Sequence, residues 1–207
     1  MKFSLIFLVF IIILFAGCSK KTTSSQPANI VREAGAFSIT VTKADKSEYL
    51  KISKNDKIYE IYNNGKVIGT IEDKGDKLKI YNADKTEAGK VQLDGTDLKL
   101  KDNKEARIAK IKNEDGNISI KDDTNNKLLK IKPDGNNYKI DDANGNKIGK
   151  IKHNGDKWHI TDNSSDKFII SGNTSGGITG ILMTDKFTLL QQAALIAGYN
   201  LLLQSGN

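Results

Sequence analysis

From Ile58 to Ile170 the chain alternates short apolar runs with polar turns on a period of 20 residues. One series reads Ile68-Gly69-Thr70-Ile71, Ala88-Gly89-Lys90-Val91, Ile108-Ala109-Lys110-Ile111, Leu128-Leu129-Lys130-Ile131 and Ile148-Gly149-Lys150-Ile151. A second reads Leu78-Lys79-Ile80, Leu98-Lys99-Leu100, Ile118-Ser119-Ile120, Tyr138-Lys139-Ile140 and Trp158-His159-Ile160. Ile58-Tyr59-Glu60-Ile61 opens the pattern and Phe168-Ile169-Ile170 closes it. The second series alternates apolar, polar, apolar, which is the pattern of a half-buried strand, and no window here has helical spacing. One kind of turn carries Gly75, Gly95, Gly116, Gly135 and Gly155, the third slipped by one residue. The other carries Asn82, Asp102, Asp122, Asp142 and Asp162. Glycine accepts positive φ, and Asx side chains bond their own backbone, so both turns join hairpins.

This pattern predicts 12 strands between Ile58 and Ile170, with Phe37–Val41 and Tyr49–Ile52 as further candidates upstream. Antiparallel strands in sequence order give either a closed meander or a long open sheet. Only 36 of the 125 residues from 43 to 167 are apolar. A barrel of that size needs a filled interior, so its core has to come from elsewhere in the chain.

After a Gly/Ser-rich connection over 171–186, residues 187–203 read FTLLQQAALIAGYNLLL, without a charge and with apolar residues on all sides. That composition predicts a helix buried all round, with Asp185 as a candidate N-cap or first-turn acid. Three readings are open: a short membrane-spanning helix, a dimerising helix, or a helix threaded through the barrel. Gly69, Gly89, Ala109, Leu129 and Gly149 share a face with Ile71, Val91, Ile111, Ile131 and Ile151 by alternation. Small inward residues let a helix approach the strands closely, while the alternative is that these glycines only mark bulges.

Hairpin units with phrases such as Asp142-Ala143-Asn144-Gly145-Asn146-Lys147-Ile148-Gly149-Lys150-Ile151, followed by an apolar C-terminal helix, resemble the tubby-like superfamily, which includes the LURP-one-related proteins. The resemblance covers roughly residues 37–203. It implies an all-β fold, an antiparallel hairpin-repeat barrel of about twelve strands around a buried C-terminal hydrophobic helix. It implies no shared catalytic residue. Some eukaryotic members bind phosphoinositides through basic residues, and none of those positions is matched here.

The N-terminus places the protein. Residues 1–17 have a short positive start at Lys2, an apolar stretch from Phe3 to Phe15, and small residues before Cys18, as a signal peptide does. Leu14-Phe15-Ala16-Gly17-Cys18 resembles a bacterial lipobox, with leucine one position further from the cysteine than is usual. The resemblance implies cleavage before Cys18 and lipid modification (palmitate among the chains) of that side chain. Residues 18–36 follow as a small, polar tether. Ser19 rather than Asp after the cysteine implies an exported protein anchored to the cell envelope at the outer membrane. The domains expected are therefore 1–17, 18–36, a β-hairpin repeat domain over 37–170, the connection over 171–186 and the helix over 187–203.

Charge and chemistry add less. The net charge is +7, but lysine alternates with acid, and only Arg32 and Arg107 offer the guanidinium that nucleic-acid readout favours. One Cys and two His build neither an internal disulfide nor a multi-ligand metal site. His153 and His159 read as surface histidines. The turn Asp141-Asp142-Ala143-Asn144-Gly145 resembles a calcium loop but lacks its full ligand series and terminal Glu. No catalytic constellation is present, so neither an enzyme nor a cofactor is expected. Lys90, Lys110, Lys130 and Lys150 form an outward column, and Lys79, Lys99 and Lys139 another. The first four are the candidate contacts to anionic lipid head groups; the alternative is a solvated face that keeps strands apart. The function expected is non-enzymatic binding or scaffolding at the envelope, toward the membrane or an envelope protein. A surface adhesive protein built as an open hairpin array is the alternative.

Overall fold

The structure is a computed structural model that describes residues 37–162 and 164–205. The signal peptide, Cys18 and the tether expected over 1–36 lie outside the described residues. Fourteen antiparallel strands form one closed barrel in sequence order: β1 (Ser38–Lys43), β2 (Glu48–Asn55), β3 (Ile58–Asn63), β4 (Lys66–Asp73), β5 (Lys77–Asn82), β6 (Glu87–Asp94) and β7 (Asp97–Asp102), then β8 (Arg107–Glu114), β9 (Asn117–Asp122), β10 (Lys127–Asp134), β11 (Asn137–Asp141), β12 (Lys147–Asn154), β13 (Lys157–Thr161) and β14 (Asp166–Gly172). β1 pairs with β14 and closes the ring, Val41 opposite Ile170. The expected count of about twelve is therefore corrected to fourteen, because both upstream candidates pair into the sheet. Closure also removes the open-array architecture.

Each repeat is two strands, and its two turns define two rims. At the glycine rim, Gly95, Gly135 and Gly155 hold φ of +58°, +62° and +64° as the first residue of two-residue connections. At the third connection Asp115 and Gly116 both have positive φ. That is the pattern of a type I′ turn, in which glycine takes the second place, and it explains the one-residue slip. At the other rim, Asp102, Asp122 and Asp142 each accept two backbone N–H bonds through Oδ1. The donors lie two and four residues on: Lys104 and Ala106, Thr124 and Asn126, Asn144 and Asn146, at 2.8–3.0 Å.

Beside this Asx rim every hairpin slips register by one residue: Ile80 faces Gly89 but Tyr81 faces Glu87. The same slip recurs at Ile108, Leu128 and Ile148. Each extra residue bends and twists its strand, which helps the sheet curl to closure. Gly69, Gly89 and Gly149 follow these bulges and face inward, so both readings of the small residues hold. A Cβ on Gly69 would meet the Tyr81 carbonyl and also Leu190 of the helix.

The lumen is filled by the C-terminus in two passes rather than one. A 3₁₀-helix, η1 (Gly177–Met183), runs from the glycine rim toward the Asx rim, and α1 (Leu189–Ser205) returns. The segment expected as a connection is thus core: residues 177–182 are all buried. Its glycines are there for thinness. A Cβ on Gly176 would lie 2.5 Å from the Trp158 ring, on Gly177 2.9 Å from Ile118, and on Gly180 2.7 Å from Ile131.

α1 starts one turn later than Asp185 predicts. Thr188 and Gln191 form a reciprocal capping box: Gln191 N–H donates to Thr188 Oγ1 at 3.3 Å, and Thr188 N–H to Gln191 Oε1 at 3.0 Å. Asp185 is exposed beside it. Polar groups fix both ends of the two-pass plug. Buried Gln192 donates to the Thr184 carbonyl at 3.0 Å. Asn200 accepts from Ser175 N–H at 3.1 Å and donates to Thr174 Oγ1 at 3.2 Å. Among the described residues no helix is long and apolar enough to cross a membrane. Among the described residues every buried apolar side chain lies between residues 39 and 199, so the barrel holds a core of its own.

Candidate functional site

With the lumen occupied, the outer wall and the two rims are the main surfaces that the described residues present. One half-open cavity of about 310 Å³ lies where α1 enters the Asx rim, between Ile68, Ala88 and Leu100 on the strands and Leu190 on the helix. Its lining is mostly aliphatic and brings no set of titratable groups together.

The two histidines do not converge. His153 sits at the glycine rim, its ring 4.3 Å from that of Trp158, and its backbone N–H donates to Asn137 Oδ1. His159 faces outward on β13, with Nδ1 3.0 Å from Asp166 Oδ2. In the turn that resembles a calcium loop, Asp142 is engaged by backbone N–H groups and Asn146, which hold its carboxyl below the ordinary range. Among the described residues no group of three acids, His or Cys could hold a metal ion.

The lysine columns do form on the outer wall, where the pairing sets lysines beside lysines. Lys90 lies between Lys79 and Lys101, Lys110 between Lys99 and Lys121, and Lys139 between Lys132 and Lys150. Like charges directly opposite on neighbouring strands repel, so carboxylates matter. Over β5–β8 they are present. Glu87 takes Lys79 at 2.9 Å, Glu105 takes Lys90 at 2.5 Å and reaches Lys101 at 3.6 Å, Asp94 takes Lys99 at 2.5 Å, and Asp97 takes Lys110 at 2.7 Å. Lys90 holds the Glu105 carboxyl below its ordinary range, and Lys99 does the same to Asp94.

Lys130 and Lys150 differ. Neither has a carboxylate within ion-pair distance among the described residues, and their cross-strand neighbours are Ser119 and Asp141, and Lys139 and Thr161. The repeat explains why. Glu105 lies 15 residues after the lysine it pairs with; the equivalents for Lys130 and Lys150 are Gly145 and Ser165. Asp97 lies 13 residues before Lys110; the equivalents there are Asn117 and Asn137. The four candidate contacts therefore divide into two neutralised and two unneutralised lysines. The period exposes this split once the two pairing offsets are known, but only the folded register supplies those offsets.

No family model matches the chain, and no curated protein matches it in sequence. Among solved structures, the X-ray structure of an Arabidopsis thaliana protein superposes with a TM-score of 0.41 at 10% identity. The overlap covers 89% of this chain and 96% of that one, and it assigns no activity.

Proposed function

We propose that this chain is a lipid-anchored envelope protein, held through Cys18, whose barrel is a non-enzymatic binding or scaffolding module with a tubby-like layout. The observation that carries the reading is the occupied lumen: the chain's own residues fill the space in which a barrel would hold a substrate, leaving its outside for recognition. The central apolar helix supports the tubby-like layout, while fourteen strands exceed the twelve of that group. The lipobox-like stretch before Cys18 supports the anchor, and a multiply acylated cysteine would hold the protein on a bilayer stably. The test is expression of the full chain in a bacterial host with a clickable fatty acid. Label should appear on a product that begins at Cys18, and Cys18→Ser should abolish it. An unlabelled, uncleaved product would overturn the anchored reading.

A further inference from the structure

We infer that the outer wall of β9–β12, centred on Lys130 and Lys150, is a docking surface for an anionic lipid bilayer, whereas most lysines on the wall of β5–β8 are held by carboxylates. This rests on the membrane-tethered reading above and narrows it to one side of the barrel.

The first argument is electrostatic. Lys132–Lys139–Lys150 form a row of three lysines directly across neighbouring strands, and Lys121 faces Lys127. Among the described residues only Lys132 and Lys139 in this group have carboxylates, Asp141 at 2.6 Å and Asp134 at 3.1 Å. Asp141 is itself only 7% exposed, lies opposite Lys130 across the strands and has its ion pair with Lys132. The folded wall thus keeps a repulsion of Lys150 by Lys139 and of Lys121 by Lys127 that pairing within the described residues relieves only in part. Anions in a facing surface relieve it, and each lysine near an anionic leaflet contributes to binding. Lys130 and Lys150 sit two strands apart, about 10 Å from one another, so they address separate head groups.

The second argument concerns the occupant. A barrel wall is convex and offers lysine point charges rather than the planar forks of arginine, which suits many diffuse head groups better than one shaped anion. The chain also has the reach to lie sideways. β1 leaves the glycine rim at Ser38, and the 19 residues from Cys18 to Ala36 extend to at most about 65 Å. The longest strands have 8 residues and measure about 27 Å. An end-on approach is disfavoured, because exposed Asp56, Asp76, Asp94, Glu114, Asp115 and Asp156 outnumber exposed Lys57, Lys74 and Lys157 at the glycine rim.

The test is flotation of residues 22–207, which lack Cys18 but keep the whole barrel and its core. The vesicles are phosphatidylcholine alone or mixed with phosphatidylglycerol, at low and high salt. The protein should float only with phosphatidylglycerol and only at low salt. K130Q/K150Q should weaken that binding about tenfold or more. Removing two neutralised pairs at constant net charge, K90Q/E105Q with K110N/D97N, should change it less than about twofold. Thermal melts of both variants check that each keeps the barrel. Equal losses in the two variants, no flotation of the parent, or salt-independent flotation with both lipids would each overturn the inference. Fatty-acid labelling at Cys18 is read separately, so the anchor and the wall fail independently.

Discussion

Between β5 and β12 the wall repeats its turns, bulges and inward residues every 20 positions, whereas nothing in the two passes through the lumen recurs. The wall is assembled by local rules: a glycine at positive φ, an Asp bonding its own turn, a bulge that bends the strand. Each rule is satisfied several times over, so no single unit decides the fold. The plug is assembled by contacts made once: Gly176 on Trp158, Gly180 on Ile131, Asn200 on Ser175. A wall error is local and a plug error is global.

The largest effect should therefore come from removing the plug. Truncation after Gly180 takes away α1 and part of η1, and with them buried Leu195, Ile196 and Tyr199. The remaining strands should lose cooperative unfolding altogether, seen as a broad, baseline-like denaturant curve in place of a sigmoid. A retained sharp transition would mean that the wall is stable without its filling.

A finer contrast sets one methyl group in each region. Gly176 has φ −56°, which any residue adopts, so Gly176→Ala acts only by driving a Cβ into the Trp158 ring. Overpacking of this kind costs about 1–3 kcal/mol. Gly135 has φ +62° with nothing within 4 Å of a new Cβ, so Gly135→Ala acts only through backbone strain, at about 1 kcal/mol. Urea midpoints should order wild type, then Gly135→Ala, then Gly176→Ala. The reverse order would place the tighter constraint in the turns.

The smallest effect is acid sensitivity of the wall. Ser47 holds the Asp45 carboxyl below its ordinary range, Thr86 does so for Asp84, and Asn146 for Asp142. Lowered folded values mean that this stabilisation is complete above the unfolded-chain value of about 3.9 and is lost as pH falls through the folded values. The denaturant midpoint should drop below about pH 4. Asp142→Asn should blunt the drop slightly, because Asn82 already fills the equivalent turn position without titrating. An unchanged acid slope in Asp142→Asn would show that this turn's carboxylate does not contribute to it.

The same division governs what the chain discloses before folding. Strands and turns were legible because period-2 alternation and the Gly and Asx positions recur, and a thin strand core pointed to a helix inside. The outlying pair β1 and β2 was visible as two runs but fell outside the period, which is how fourteen strands read as about twelve. The first pass of the plug was not legible. Ser175-Gly176-Gly177 and Gly180 have a linker's composition, and only the neighbouring Trp158, Ile118 and Ile131 turn glycine from a flexible residue into a thin one. Asp185 lost the N-cap to Thr188 because a Thr-x-x-Gln capping box satisfies two orphan donors where a lone acid satisfies fewer. The lysine columns were legible as columns, while their neutralisation depended on register.

Closure by β1 on β14, bonded across 127 residues at Thr42 and Ile169, also sets the order in which the molecule can come into being. A ribosome delivers the wall before its filling. Until β14 has emerged β1 lacks its closing partner, and until η1 and α1 have emerged the wall lacks its interior; each unpaired edge is a template for another chain. Folding is consequently a single late event governed by distant contacts, the slow regime for β topologies. A wall that cannot complete its fold until its plug arrives remains threadable until then.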